Sequence, residues 1–142
     1  IRAKTRQAQK EYGNIIVFID YLTLIKDNRE HQSEHLRVSA ISKELKNIAR
    51  EYDVPVITLA QLSRTLEQRR DKRPMLSDLR ESGSIEEDAD CVMFLYRDSY
   101  YNKDATDDNI EIIVAKHRNG PTGDCKVYYN KSTGFIGDLS DY

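Results

Sequence analysis

Ile15-Ile16-Val17-Phe18-Ile19-Asp20 and Val56-Ile57-Thr58-Leu59-Ala60-Gln61 are the two stretches on which the fold turns. Each is a short continuous apolar run rich in β-branched residues, which is how a strand buried on both faces reads. Each run stops at a polar residue, Asp20 or Gln61. Between them the pattern turns helical from Leu36. Val38, Ile41, Leu45, Ile48 and Tyr52 advance by threes and fours, one apolar stripe of a helix. Lys43, Glu44, Lys46 and Arg50 fall mainly off that stripe. Asp53 stops it ahead of Val54-Pro55. Strand, helix, strand with buried runs predicts a mostly parallel α/β sheet.

Residues 2–12 are polar, lack Gly and Pro, and predict a helix that Gly13-Asn14 breaks. Residues 26–35 read as a loop. Residues 62–88 are mostly polar and long for a simple connection, and such connections are usually functional or disordered. Within them Ser84-Ile85-Glu86-Glu87 predicts a helix start with a capping box. Ala89 to Tyr96 predicts a third buried strand, and residues 97–109 a polar loop. Ile110–Lys116 and Lys126–Asn130 predict two strands joined through a long tip, His117 to Asp124, as an antiparallel hairpin at the sheet edge. Ser132 to Tyr142 reads as an irregular end. No internal repeat or linker divides residues 1–142, so they read as one domain.

The chain has 142 residues with a formal net charge of −2 and a mean hydropathy of −0.70. That length can bury a real core. No apolar run approaches the roughly 18 residues a membrane span needs, and no secretory signal is legible near Ile1, so a cytosolic protein is expected. Cys91 and Cys125 form no CxxC and sit in apolar or strand-like contexts, predicting buried, reduced, structural cysteines. His31, His35 and His117 show no ligand spacing. Charge is unevenly placed. Arg2, Lys4, Arg6 and Lys10 make residues 1–10 basic. Arg64, Arg69, Arg70, Lys72, Arg73 and Arg80 outweigh Glu67, Asp71 and Asp78. Glu81, Glu86, Glu87, Asp88 and Asp90 then make residues 81–90 acidic. A solvated surface and a polyanion-facing patch both fit that distribution.

In open parallel sheets, ligands bind beyond the carboxyl ends of the strands. Asp20, Gln61 and Lys116 each end a predicted strand. An apolar strand ending in Asp is the Walker B pattern, in which a carboxylate at a rigid strand end holds Mg²⁺ beside nucleotide phosphates. An isolated match also fits an Asp that merely starts a turn. Gln61 suits sensing of a γ-phosphate or attacking water, and equally a loop hydrogen bond. Lys116 and Arg118, at i and i+2 beside a Gly-Pro tip, suit an arginine finger and also a solvated hairpin.

Four segments together resemble the DnaB-type replicative DNA helicases. Asp20-Tyr21-Leu22-Thr23-Leu24-Ile25 is similar to their Walker B region, and residues 57–64 (ITLAQLSR) to their third helicase motif. Residues 73–90 (RPMLSDLRESGSIEEDAD) resemble their fourth motif and are the most diagnostic. Lys116-His117-Arg118-Asn119-Gly120-Pro121-Thr122-Gly123 resembles their arginine-finger segment. The resemblance runs from about Arg2 to Leu139, with the motifs in the family's order.

The resemblance implies a RecA-like motor fold, a mostly parallel sheet with antiparallel C-terminal hairpin strands, present here as its C-terminal portion. It implies a homo-hexameric ring that hydrolyses ATP with Mg²⁺ at subunit interfaces and moves 5′ to 3′ on single-stranded DNA in a bacterial or phage setting. Asp20 would hold the magnesium-bound nucleotide, Gln61 would couple nucleotide state to DNA loops, and Lys116 and Arg118 would reach the adjacent subunit's γ-phosphate. Asp20, Gln61 and Arg118 are thus the catalytic candidates. Arg80, Glu81 and Gly83 would follow the DNA backbone, with Arg64 and the run from Arg69 to Arg73 adding positive field. Primase and a helicase loader are the family's partners, through a collar not represented here.

The chain departs from the family pattern in one large respect. It contains no GxxxxGK[ST] phosphate loop and no Gly-Lys pair. The resemblance places that loop and a catalytic Glu upstream of Ile1, so the chain supplies half of each ATP site. The departure also fits a non-catalytic DNA-binding or ring-assembly module. A recombination-type RecA-like ATPase and a receiver-type phosphoacceptor built on Asp20, Thr58 and Lys116 are the other readings. The channel segments lack interleaved aromatics, so electrostatic tracking of the backbone is expected over base stacking.

Overall fold

The computed structural model describes residues 1–27, 30–82, 84–105, 107 and 109–139, and gives no side-chain description for residues 80–82. The chain divides into two units, Ile1–Ser63 with Leu79–Ala89, and Arg64–Asp78 with Asp90–Tyr142.

The first unit opens with helix α1 (Arg2–Tyr12), ended by Gly13 at φ 75°, a conformation that favours glycine. Strand β1 (Val17–Ile19) pairs in parallel with β2 (Val56–Thr58), Phe18 opposite Ile57. Helix α2 (Glu34–Tyr52) is the crossover between them. It starts at Glu34, two residues before Leu36, because Ser33 caps it, its side chain accepting from the Leu36 N–H at 3.2 Å. Asp53 ends it in the left-handed region at φ 50°. Val38, Ile41, Leu45 and Ile48 are buried, as the stripe predicts, with Leu22, Val54, Leu79 and Ile85. Arg2 of α1 pairs with Glu44 and Glu51 of α2, and Gln9 donates to the Tyr52 carbonyl at 2.6 Å.

A short helix α3 (Ile85–Asp88) follows Ser84 without the expected capping box. The Ser84 hydroxyl points its single proton instead toward two acceptors, the Asp88 carboxylate at 2.9 Å and the Ser39 carbonyl at 3.3 Å. With its oxygen turned to those partners, no Ser84 side-chain bond caps the helix.

The second unit is a four-stranded antiparallel sheet in the order β3-β4-β5-β6, comprising β3 (Cys91–Tyr96), β4 (Ile110–His117), β5 (Gly123–Asn130) and β6 (Phe135–Gly137). Helix α4 (Asp98–Tyr101) replaces the start of the expected 97–109 loop. A bulge breaks the β3–β4 register between Val92 and Met93. Strand β6 lies in the stretch expected to be irregular. The Asn130 side-chain oxygen accepts from the Ser132 and Thr133 N–H groups, and Gly134, at φ 73°, closes the turn on the Asn130 carbonyl at 2.8 Å.

The mixed parallel and antiparallel pairing agrees with the expected fold class. Burial differs in detail. The runs expected to be covered on both faces are covered on one: Phe18 is 71% exposed and Ile57 41%, and in β3 Val92 and Phe94 are buried while Met93 and Leu95 are open. Cys91 and Cys125 are free and exposed, correcting their expected burial. Both lie on β strands at outward-facing positions. Among the described residues no helix is long and apolar enough to cross a membrane.

Candidate nucleotide site and DNA-facing segment

In the first unit the parallel ladder continues past the strands. Leu59 N–H donates to the Ile19 carbonyl and Leu22 N–H to the Leu59 carbonyl, both at 2.9 Å. The segments carrying Asp20 and Gln61 therefore run side by side beyond adjoining carboxyl ends, where open α/β sheets bind ligands. Asp20 and Gln61 are both exposed, and the Asp20–Tyr21 peptide is cis. Leu22, 1% exposed, anchors the 3-10 turn Leu22–Leu24 that follows. Arg37 of α2 fixes the continuation, donating to the Thr23 carbonyl at 2.9 Å and the Ile25 carbonyl at 2.5 Å. Its ion pair with Glu34 lowers the Glu34 carboxyl pKa and raises that of Arg37. The helix thus stiffens the loop behind Asp20.

Among the described residues, no group of three or more His, Cys, Asp or Glu could enclose a metal. A single accessible carboxylate at a strand end still fits Mg²⁺, which keeps several waters and takes phosphate oxygens as its remaining ligands.

Lys116 and Arg118 belong to the second unit. Lys116 lies opposite Val92 and is half-buried. Strand β4 ends at His117, and the ladder runs one step further: Arg118 N–H donates to the Asp90 carbonyl at 2.7 Å. The Arg118 guanidinium stands 3.5 Å from the Asp90 carboxylate, both solvent-accessible. Gly120 packs against the His117 ring at the tip; a Cβ there would come 2.4 Å from that ring and turn it aside.

Arg64 is exposed at the start of the 3-10 segment Arg64–Gln68. Arg80 and Glu81 lie in the 3-10 segment Leu76–Ser82, with their side chains outside the description. Gly83 lies outside the described residues.

The sequence reading missed the arrangement at the start of that segment. Asp78, 5% exposed, accepts from Arg69 Nη1 at 3.0 Å, Arg69 Nη2 at 3.2 Å and Met75 N–H at 2.8 Å. Arg69 also donates to the Arg73 carbonyl at 2.7 Å and the Asp71 carbonyl at 3.1 Å. Arg73 pairs with Glu111 of β4 and reaches Asp124 of β5 at 3.6 Å, with its guanidinium 5.8 Å from the centre of the Tyr96 ring. Arg69 and Arg73 are therefore neutralised by carboxylates within their own unit and add little free positive field, unlike the exposed Arg64 and Arg70. Met75 and Asp78 at i and i+3 are a weak turn signal; nothing in the spacing joins Arg69 to Asp78 or Arg73 to Glu111. Near this network burial, then the hydrogen bond to Asp98 at 2.9 Å, push the Tyr96 hydroxyl up to about 12.

The sequence model of the DnaB-like helicase C terminal domain matches residues 1–136. The chain belongs to that family. Among curated DnaB relatives, it is 57% identical over 133 residues to the replicative DNA helicase DnaB of Geobacillus stearothermophilus, covering 92% of this chain and 29% of that protein. It is 57% identical over 138 residues to the replicative DNA helicase DnaC of Bacillus subtilis, with 92% and 29% covered. Two solved structures superpose with TM-scores of 0.93 at 49% identity over 97% of the chain. One is described as an ATPase domain, of which the match covers 50%; the other is a DnaB-like replicative helicase studied with its interactions with primase, of which it covers 34%. The RecA-like fold expected from the motifs is thus the fold of this chain, which spans under a third of the length of these two curated relatives. DnaB-family membership also sets aside the recombination-type and receiver-type readings.

Proposed function

We propose that the chain is the C-terminal part of the motor of a hexameric replicative DNA helicase, coupling ATP hydrolysis to 5′–3′ movement on single-stranded DNA and duplex unwinding in a bacterial cytoplasm. The observation that carries this is the β1–β2 ladder, which sets Asp20 and Gln61 past adjoining strand ends in a chain of the DnaB family. In this reading Asp20 would hold Mg²⁺, which when bound offsets the charge of the nucleotide phosphates. Gln61, one strand away, hydrogen-bonds the γ-phosphate or the attacking water and passes that state into the chain that follows it. Lys116 and Arg118, on the hairpin, reach the nucleotide of the neighbouring subunit, where positive charge stabilises the transferring phosphoryl group. Arg80, Glu81 and Gly83 follow the DNA backbone, and Arg64 adds positive charge for the same polyanion. Primase and a loader bind elsewhere on the longer protein.

Mixed rings test the assignment. Full-length protein carrying Asp20→Ala or Arg118→Ala alone should bind nucleotide, the Arg118 variant nearly as wild type does, and lose turnover. Mixing the two should restore measurable turnover, because some interfaces then combine an intact Asp20 with a neighbour's intact Arg118. Turnover by Arg118→Ala rings alone refutes the finger. A full-length protein without a phosphate loop supports instead a DNA-binding or ring-assembly module.

A further inference from the structure

Inside the second unit a continuous set of polar contacts joins the finger hairpin to the Met75–Asp78 turn, from which the chain runs on to Arg80. Strand β4 leads directly to Arg118. Near its other end, Glu111 pairs with Arg73, whose guanidinium also reaches Asp124 on β5 and lies over Tyr96 of β3. One side chain thus touches all three strands that hold the finger hairpin. The Arg73 carbonyl accepts from Arg69, and Arg69 grips buried Asp78 with both terminal nitrogens. Asp78 also receives the Met75 N–H, and its own N–H returns to the Met75 carbonyl at 2.9 Å. That reciprocal closure forms the first turn of Leu76–Ser82, two residues before Arg80.

We propose that Arg69, Arg73 and Asp78 form a brace linking the finger hairpin to the DNA-facing segment, and that they are positioning residues for the coupling of ATP turnover to DNA. The inference rests on the function proposed above. An exposed basic loop has no need of a bidentate Arg–carboxylate pair with a nearly buried acid, and such a fork fixes orientation as well as attraction. Arg73 is fixed by groups on three strands, so a shift of β4 on nucleotide contact moves the Arg73 main chain and, through Arg69, the first turn of the DNA segment. Coupling carried by contiguous hydrogen-bonded groups with rigid elements at each end is the physical form such transmission takes.

The test is DNA stimulation of ATP turnover in the full-length protein. Arg73→Gln should keep basal turnover and nucleotide affinity, while the ratio of DNA-stimulated to basal turnover falls by about 2- to 30-fold. Arg73→Lys, which keeps the charge facing Glu111 but not the fork, should recover part of that ratio. An unchanged ratio in Arg73→Gln with wild-type stimulation intact overturns the brace alone. Absence of stimulation in wild type overturns the functional reading and the brace together. If Arg73→Gln loses basal turnover through misfolding, Arg69→Gln decides: a lowered ratio at normal basal turnover supports the brace, and a normal ratio overturns it.

Discussion

Replacing Asp78 with alanine removes three hydrogen bonds from a side chain that is 5% exposed. Two come from the Arg69 fork, and hydrogen bonds to charged groups contribute about 1.5–3 kcal/mol each in favourable settings. Arg69 is 29% exposed and keeps two carbonyl partners, so water recovers much of that contribution. The third leaves the Met75 N–H without its acceptor, at about 1 kcal/mol, the low end for an unsatisfied donor, because Met75 itself is exposed. The net loss is about 2–4 kcal/mol. Asp78→Asn retains an acceptor for Met75 and should cost about half as much. The effect is local, and limited trypsin digestion reads it directly, since Arg69, Arg70 and Lys72 all lie in the braced stretch, while the Arg73–Pro74 bond resists trypsin. Where opening is fast relative to cleavage, the cutting rate follows the open population. A loss of about 2–4 kcal/mol then speeds cleavage there by roughly 30- to 900-fold. Unchanged cleavage after these three residues in Asp78→Ala would refute the claim that the carboxylate holds the segment.

Arg80→Ala should weaken single-stranded DNA binding alike for all base sequences and flatten the salt dependence by about one ion, which titration at several salt concentrations measures; an effect confined to some sequences would contradict backbone tracking. Tyr96 should ionise near pH 12, against an ordinary value near 10. Its raised folded pKa gives stability that is whole below about pH 10 and lost as pH rises toward 12, and the 295 nm absorbance difference between wild type and Tyr96→Phe should develop with a midpoint near pH 12 and persist above it. The 142-residue chain made alone should self-associate through its open apolar faces, and Phe18→Ser with Leu95→Ser should reduce the associated fraction in sedimentation; monodisperse wild type at high concentration would refute this.

Much of the fold was legible because periodicity reports burial. Four of the five residues of the α2 stripe are buried and Tyr52 is half-buried, and Ser33 moved only the helix start. The strand end before Asp20 was placed, because a polar residue closing an apolar run is a local signal, whereas β2 stops at Thr58, three residues short of Gln61, with the Leu59 N–H carrying the ladder one step further. Strand β6 was hidden because its turn depends on the Asn130 side chain folding back on later N–H groups, which spacing alone does not reveal. The Arg69–Asp78 and Arg73–Glu111 pairs were illegible for a stronger reason. They join residues nine and 38 apart, and the same arginines read equally well as free positive field. Three-dimensional pairing changes what those charges can do.

The strands present the opposite case, where the sequence states more than these residues alone satisfy. Ile16, Phe18, Ile57 and Leu59 are as apolar as strands covered on both faces, yet all four are open here, as are Met93 and Leu95. Burying a side chain such as Phe or Leu contributes about 1.5–3 kcal/mol, so leaving this set in water forgoes a sizeable part of what a domain of ordinary stability possesses. Solvent gives no reason for such composition on both faces; a covering layer does. The site divides in the same way. Asp20 and Gln61 offer a strand-end carboxylate and amide with no phosphate-cradling loop in the chain, while Arg118 stands on a separate hairpin with Asp90 as an ion partner. Apolar faces of this kind are matched, in the function proposed above, by candidate site residues that need a phosphate loop and a neighbouring subunit to complete them.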